Sequence, residues 1–184
     1  MIEQHLLWSM KGPLPDGDLD YMIPFGKGKV VKPGRQVTVA TWSHPLHRVL
    51  SIATELEKDE VSVEVLDLRT LDRSSLDTAL IVESSKRTGA LVIVEDAPVS
   101  HSIGAQIADQ LQPDLFGVLR HPITRVTGKD VPAPVSKVLE DSVLLKDEEI
   151  TAQLRNEYGP VNTGWLNCLL DRRRKWQGWK TRFH

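Results

Sequence analysis

Residues 61–89 read VSVEVLDLRTLDRSSLDTALIVESSKRTG, and their reading decides the fold. Val61 to Leu68 is rich in β-branched and aliphatic side chains and predicts a strand. A polar turn follows. Ser74 with Asp77 three residues on has the spacing of a capping box for a helix over about 75–86, which closes on Lys86-Arg87-Thr88-Gly89. Ala90 to Val94 is then a near-continuous apolar run, as expected for a strand covered on both faces. Two strands joined through a helix require a parallel pairing.

Working outward, the same alternation continues. Gln36 to Trp42 (QVTVATW) alternates and is β-rich, and Ser43 is placed to cap a helix that carries Pro45 in its first turn. Leu46, Val49, Leu50, Ala53 and Leu56 give that helix one apolar face. Ser102 opens a third helix with Ile103, Ile107 and Leu111 on its inner side, and Ile123 to Thr127 is a short strand. Helical segments at about Val135–Glu140 and Glu148–Asn156 close the body. The expected fold is α/β: a three-layer, open, mostly parallel sheet of about five strands with helices on both faces. Three segments are expected: a lead-in over 1–34, a body over 35–156 and a tail over 157–184. Four prolines and five glycines make the lead-in mostly loop, while Met1 to Trp8 is apolar enough for a strand that needs a neighbour.

Bulk properties narrow the function classes. With 184 residues, 40% hydrophobic and 26% charged, the chain suits one soluble globular domain with a full core. No apolar run reaches the roughly 18 residues of a membrane span, and the opening MIEQHLLWSM is unlike a signal peptide. The single cysteine, Cys168, excludes an internal disulfide framework and a Cys-based zinc site, and suits a reducing compartment. The net charge of −2 is uneven: residues 171–184 carry six basic groups and one acid, so the remainder is near −7. That pattern reads as an appended basic tail, not a nucleic-acid-binding domain. Trp165, Trp176 and Trp179 lie among those bases, which suits either an anionic surface or a disordered, non-native extension, the latter preferred.

In an open α/β sheet, ligands and partners meet the carboxyl ends of the strands. There the sequence offers Ser43-His44, Asp67-Arg69 and Glu95-Asp96. Glu95 and Asp96 have acid–base chemistry available, but with no nucleophile nearby in sequence they read better as interface or turn-capping carboxylates. His44, His47 and His101 lack metal-ligand spacing and read as surface histidines. An arginine at 69 can grip a phosphate or a carboxylate, but Asp67 and Arg69 fall on one side of the chain, so a mutual ion pair is at least as good a reading. Gly26-Lys27-Gly28-Lys29 lacks the spacing of a phosphate loop. No self-contained active site emerges, so no catalytic, cofactor-binding or metal residue is assigned.

Several motifs in order carry a family resemblance. They are Ile23-Pro24-Phe25-Gly26-Lys27, Val37-Thr38-Val39-Ala40-Thr41, Val63-Glu64-Val65-Leu66-Asp67-Leu68-Arg69-Thr70-Leu71 and Lys86-Arg87-Thr88-Gly89. Val92-Ile93-Val94-Glu95-Asp96-Ala97-Pro98, Arg125-Val126-Thr127-Gly128 and Asp130-Val131-Pro132-Ala133-Pro134 follow. The chain resembles the C-terminal domain of the transketolase family, and within it the beta subunit of the decarboxylating component of 2-oxo-acid (pyruvate-type) dehydrogenases. The resemblance implies an assembly role beside a pyrimidine-binding domain, of which residues 1–34 carry the end, so the chain begins inside its presumed parent. It implies thiamine diphosphate and magnesium in that parent, with none bound by this chain alone, which is expected to be inactive. Implied partners are a second beta subunit, an alpha subunit and an acyltransferase core, with no nucleic acid and no membrane. The implied compartment is the cytoplasm, or the mitochondrial matrix in a eukaryote. Glu95, Asp96, Arg120 and Asp130 are the expected interface residues. Arg120 stands where the family has a docking aspartate, so that docking mode does not carry over. Two alternatives are a stand-alone, non-catalytic interaction or regulatory domain and a part of another transketolase-type enzyme, such as a synthase or an acetoin-cleaving system.

Overall fold

A computed structural model describes residues 4–12, 20–132 and 134–158. The expectations for residues 1–3 and for most of the tail lie outside the described residues. The elements are β1 (Lys29–Lys32), β2 (Val37–Thr41), α1 (Ser43–Leu56), β3 (Val63–Asp67), α2 (Thr78–Thr88) and β4 (Leu91–Pro98). α3 (Ile103–Leu115), β5 (Thr124–Gly128), α4 (Lys137–Val143) and α5 (Asp147–Tyr158) follow.

The five strands form one sheet in the order β1-β3-β2-β4-β5, as the α/β reading anticipates. β3, β2, β4 and β5 run parallel, and β1 joins the β3 edge antiparallel. Register is continuous from Val37 opposite Val63 to Thr41 opposite Asp67, and Ala40 lies opposite Ile93. The side-chain period of two divides each central strand between two cores. Val37, Val39, Val63, Val65, Val92 and Val94 face α1 and α5, meeting Val49, Leu56, Ile150 and Leu154. Ala40, Leu66, Leu91 and Ile93 face α2 and α3, meeting Ile81, Ile107 and Leu111.

The helix placement follows from crossover handedness. From β2 the chain moves one way along the sheet to reach β3, and from β3 it moves the other way to reach β4 and then β5. Right-handed crossovers therefore send α1 to one face and both α2 and α3 to the other. β2 is thus the strand whose exit turns opposite to those of both its neighbours. That topology opens a crevice at its carboxyl end.

Four local expectations are corrected. β1 was expected as loop; Lys29-Val30-Val31-Lys32 is short and lysine-flanked, as edge strands are, and the surrounding Gly and Pro mask it. Gln4 to Trp8 is not a strand: His5–Leu7 is a 3₁₀ turn. Ser43 does not cap α1; its hydroxyl donates to Gln4 Oε1 at 3.0 Å. Ser74 likewise does not cap α2, because its hydroxyl turns to Asp72. Asp77 is the N-cap: Oδ1 accepts from Leu80 N at 3.2 Å and Oδ2 from Gly28 N at 3.2 Å. One carboxylate thereby caps a helix and pins the lead-in. Ser102 does cap α3 through Ala105 N at 3.3 Å, and Gly89 ends α2 in the left-handed region at φ 75°.

Candidate functional site

The crevice at the carboxyl end of β2 is floored by Trp42 and Ser43. A cleft of about 810 Å³ extends toward Asp67, Arg69 and Leu71, and a recess of about 240 Å³ extends toward Glu95, Asp96 and His101. Gln4, Trp42, Ser43 and Ile103 line both. The 3₁₀ turn from the lead-in overhangs the larger cleft through His5, Leu7 and Trp8. The backbone is strained there: Ser43 and Arg69 hold φ of 57° and 55°, on the exits of adjacent strands. Non-glycine residues occupy that region at a cost, and such positions gather at binding sites.

The charges around the crevice are mostly committed. Asp67 Oδ2 accepts from Arg69 Nε at 3.3 Å, the expected mutual pair. Asp96 accepts from Arg48 at 3.2 Å and contacts His44 Nδ1 at 3.4 Å. Arg48 also donates to Asp147 at 2.6 Å and to the Leu145 carbonyl at 2.8 Å, tying α1, β4 and α5 together. His101 Nδ1 lies 2.8 Å from Ser100 Oγ, and His47 is exposed. Among the described residues no group of three or more His, Cys, Asp or Glu is gathered for a metal ion.

Glu95 is buried and caps the following turn. It is 1% exposed, and Oε2 accepts from Gly104 N at 3.0 Å in the first turn of α3. A Cβ at position 104 would overlap Glu95 Oε1, so the close approach requires glycine. The helix terminus stabilises the buried carboxylate. Asp96 is about four-fifths covered by its intrachain partners. Asp130 is exposed, and its carboxylate accepts from Ser100 Oγ at 2.5 Å. That hydrogen bond, helped by Ser100 N and the nearby His101, holds Asp130 below the usual carboxylate range.

Arg120 lies at the other end of the sheet. Its guanidinium donates to Thr88 O at 2.6 Å and Gln36 O at 3.3 Å, while its own amide donates to Gly89 O at 2.8 Å. It therefore closes the negative end of α2. The structure gathers Glu95, Asp96 and Asp130 at one end and separates Arg120 from them. The two glycine amides of the Gly26–Lys29 stretch are also occupied from within: Gly26 N donates to Thr70 Oγ1 at 3.0 Å, and Gly28 N donates to Asp77. Sequence reasoning missed Gln4, Trp42 and Arg48. A tryptophan closing a buried strand was the available signal for Trp42; the long-range partners of Gln4 and Arg48 left none.

Comparison with known proteins agrees with this architecture. The family model described as "Transketolase, C-terminal domain" matches residues 26–150. The chain is 35% identical over 153 residues to the beta subunit of an acetoin:2,6-dichlorophenolindophenol oxidoreductase from Cupriavidus necator, covering 83% of this chain and 44% of that one. It is 41% identical over 128 residues to a pyruvate dehydrogenase E1 component subunit beta from Rickettsia bellii, covering 70% and 39%. A solved structure described as "Split gene transketolase, inactive beta4 tetramer" aligns with TM-score 0.62 and 26% identity over 74% of this chain and 43% of that one. The chain spans less than half the length of these relatives. The layered parallel sheet, its collinear motifs and the family match together establish that the chain belongs to the transketolase C-terminal domain family.

Proposed function

We infer that this chain serves as the C-terminal assembly domain of the beta subunit of a thiamine-diphosphate-dependent 2-oxo-acid dehydrogenase of the pyruvate type. There it supports oxidative decarboxylation and acyl transfer to lipoyl groups. The observation that carries this reading is the pairing of a C-terminal-domain match with relatives named as E1 beta subunits, of which the chain spans about two-fifths. The chemistry of the described residues agrees with a supporting role, since the carboxylates at the sheet end bind their own neighbours.

The described residues do not fit the cofactor. No metal-ligating group is gathered among them, and the buried carboxylate of Glu95 is sealed against Gly104. Thiamine diphosphate with magnesium would supply the decarboxylation chemistry in the parent assembly, held by a pyrimidine-binding domain and the alpha subunit. This chain's contribution is to bind and orient those parts. Its lead-in offers the surface for such contacts, because Trp8, Met22 and Phe25 are 75%, 84% and 94% exposed, an unusual display for apolar side chains. The partners are accordingly a second beta subunit and the alpha subunit, with an acyltransferase core beyond them. No helix among the described residues is long and apolar enough to cross a membrane; the assembly belongs in the cytoplasm, or in the matrix of a mitochondrion.

A second reading places the domain in an acetoin-cleaving system, favoured by the 35% identity to the Cupriavidus necator subunit. Co-expression with a pyrimidine-binding domain and an alpha subunit tests both. Pyruvate-dependent reduction of an artificial electron acceptor is expected only when all parts are present, and acetoin-dependent reduction supports the second reading. Calorimetric titration of the chain alone with thiamine diphosphate and Mg²⁺ is expected to give no binding heat; a micromolar complex contradicts the assembly role.

A further inference from the structure

Independently of that role, we propose that the Arg69 limb of the crevice binds a small organic carboxylate with an aromatic or other planar apolar body. The site has a surplus of donors. Asp67 holds the Nε side of Arg69, and among the described residues no bond engages the two terminal nitrogens of the guanidinium. Gln4 uses its carbonyl oxygen to accept from Ser43, and its amide nitrogen has no bond among the described residues. In this limb Asp67 is paired with Arg69, and in the adjoining recess Asp96 is paired with Arg48 and His44 while Glu95 Oε1 is buried without a partner. In the Arg69 limb a guest that accepts hydrogen bonds is matched by the free guanidinium edge and the Gln4 amide.

The geometry narrows the guest further. The two terminal guanidinium nitrogens form a planar fork that pairs with a carboxylate bidentately. Asp67 already offsets part of the arginine's charge, which suits a monoanion over a phosphate dianion. Trp8, Trp42, Leu71 and Ile103 line the same cleft and give a planar apolar body walls to rest on. Arg69 follows β3 in a left-handed turn at φ 55°, and its guanidinium is held on the Nε side by Asp67 at 3.3 Å. The limb opens at the carboxyl edge of the sheet, beside β2, the edge at which open α/β sheets place ligands.

Titration of the ¹⁵N-labelled full chain with sodium benzoate tests the proposal. Saturable shifts are expected at the Trp42 indole and Arg69 Nε resonances, with benzamide, the uncharged counterpart, at least about 10-fold weaker. R69Q is expected to weaken benzoate binding by about 10-fold or more, and R69K, which keeps the charge but not the fork, to lie between. The wild-type benzoate and benzamide arms stand even if a variant does not fold. Equal responses to benzoate and benzamide, no saturable shift at Trp42 and Arg69, undiminished binding by folded R69Q, or tighter binding of inorganic phosphate than of benzoate would each overturn it.

Discussion

The two ends of the sheet are built on opposite plans. At the amino end side chains fasten the fold, although a cleft of about 700 Å³ opens beside Arg120: Thr38 and Thr88 share a buried hydroxyl contact at 2.8 Å, Arg87 pairs with the 1%-exposed Glu64, and Arg120 seals α2. Gly34 packs so tightly against the start of β3 that a Cβ would overlap its backbone. At the carboxyl end the backbone is strained at Ser43 and Arg69, a crevice stays open, and some donors are left unpaired. The contrast lies in the polar groups: at one end those named are spent on holding the fold, and at the other some donors remain free.

Substitutions that break this contrast should differ in size. The largest effect is expected from Gly34→Ala, where the obstruction is backbone and cannot swing away; a loss of about 3 kcal/mol in urea-denaturation stability is expected. Arg48→Ala comes next. It leaves Asp96 without its arginine partner and unties α5, at a cost of about 2 kcal/mol, read from the same denaturation curves. Arg120→Ala removes two contacts to carbonyls at an exposed helix end and is expected to cost about 1 kcal/mol, with Arg120→Lys recovering part of it.

The smallest effect concerns Asp130. Its carboxyl is held below the ordinary value of 3.8 in the folded chain, so its contribution to stability is present above that value and fades as pH falls through the lowered one. Ser100→Ala is expected to move the Asp130 titration upward toward 3.8 in an NMR pH series. Stability at neutral pH should hardly change, because the group is on the surface. An equal response to Arg48→Ala and Ser100→Ala would erase the distinction between fastened and loosely held charges.

Sequence was most informative where side chains act through their neighbours along the chain. The continuous apolar run of β4, the period-two pattern of β2 and the helical spacing of Leu46, Val49, Ala53 and Leu56 led to the correct layers, since burial on both faces leaves that imprint. The Asp67–Arg69 pair was equally legible from alternation. What escaped depends on distant partners. The burial of Glu95 was not legible, because its hydrogen-bond partner is the bare amide of Gly104, nine residues on; the glycine was the only trace. The intrachain bonds of Arg120 were not legible, because Thr88 O and Gln36 O are carbonyls that every residue possesses. Ser43 fits a capping pattern, yet Gln4, far off in sequence, competes for its hydroxyl.

The short edge strand β1 has a practical consequence. Lys29–Lys32 covers the outer rim of β3, and Gly26 and Gly28 are moored to Thr70 and Asp77, so the lead-in and the body share one hydrogen-bonded frame. A recombinant form trimmed to begin at residue 35 would strip that rim and leave a row of β3 amides and carbonyls as a template for other chains. Such a form should precipitate or self-associate where a form beginning at residue 20 stays in solution.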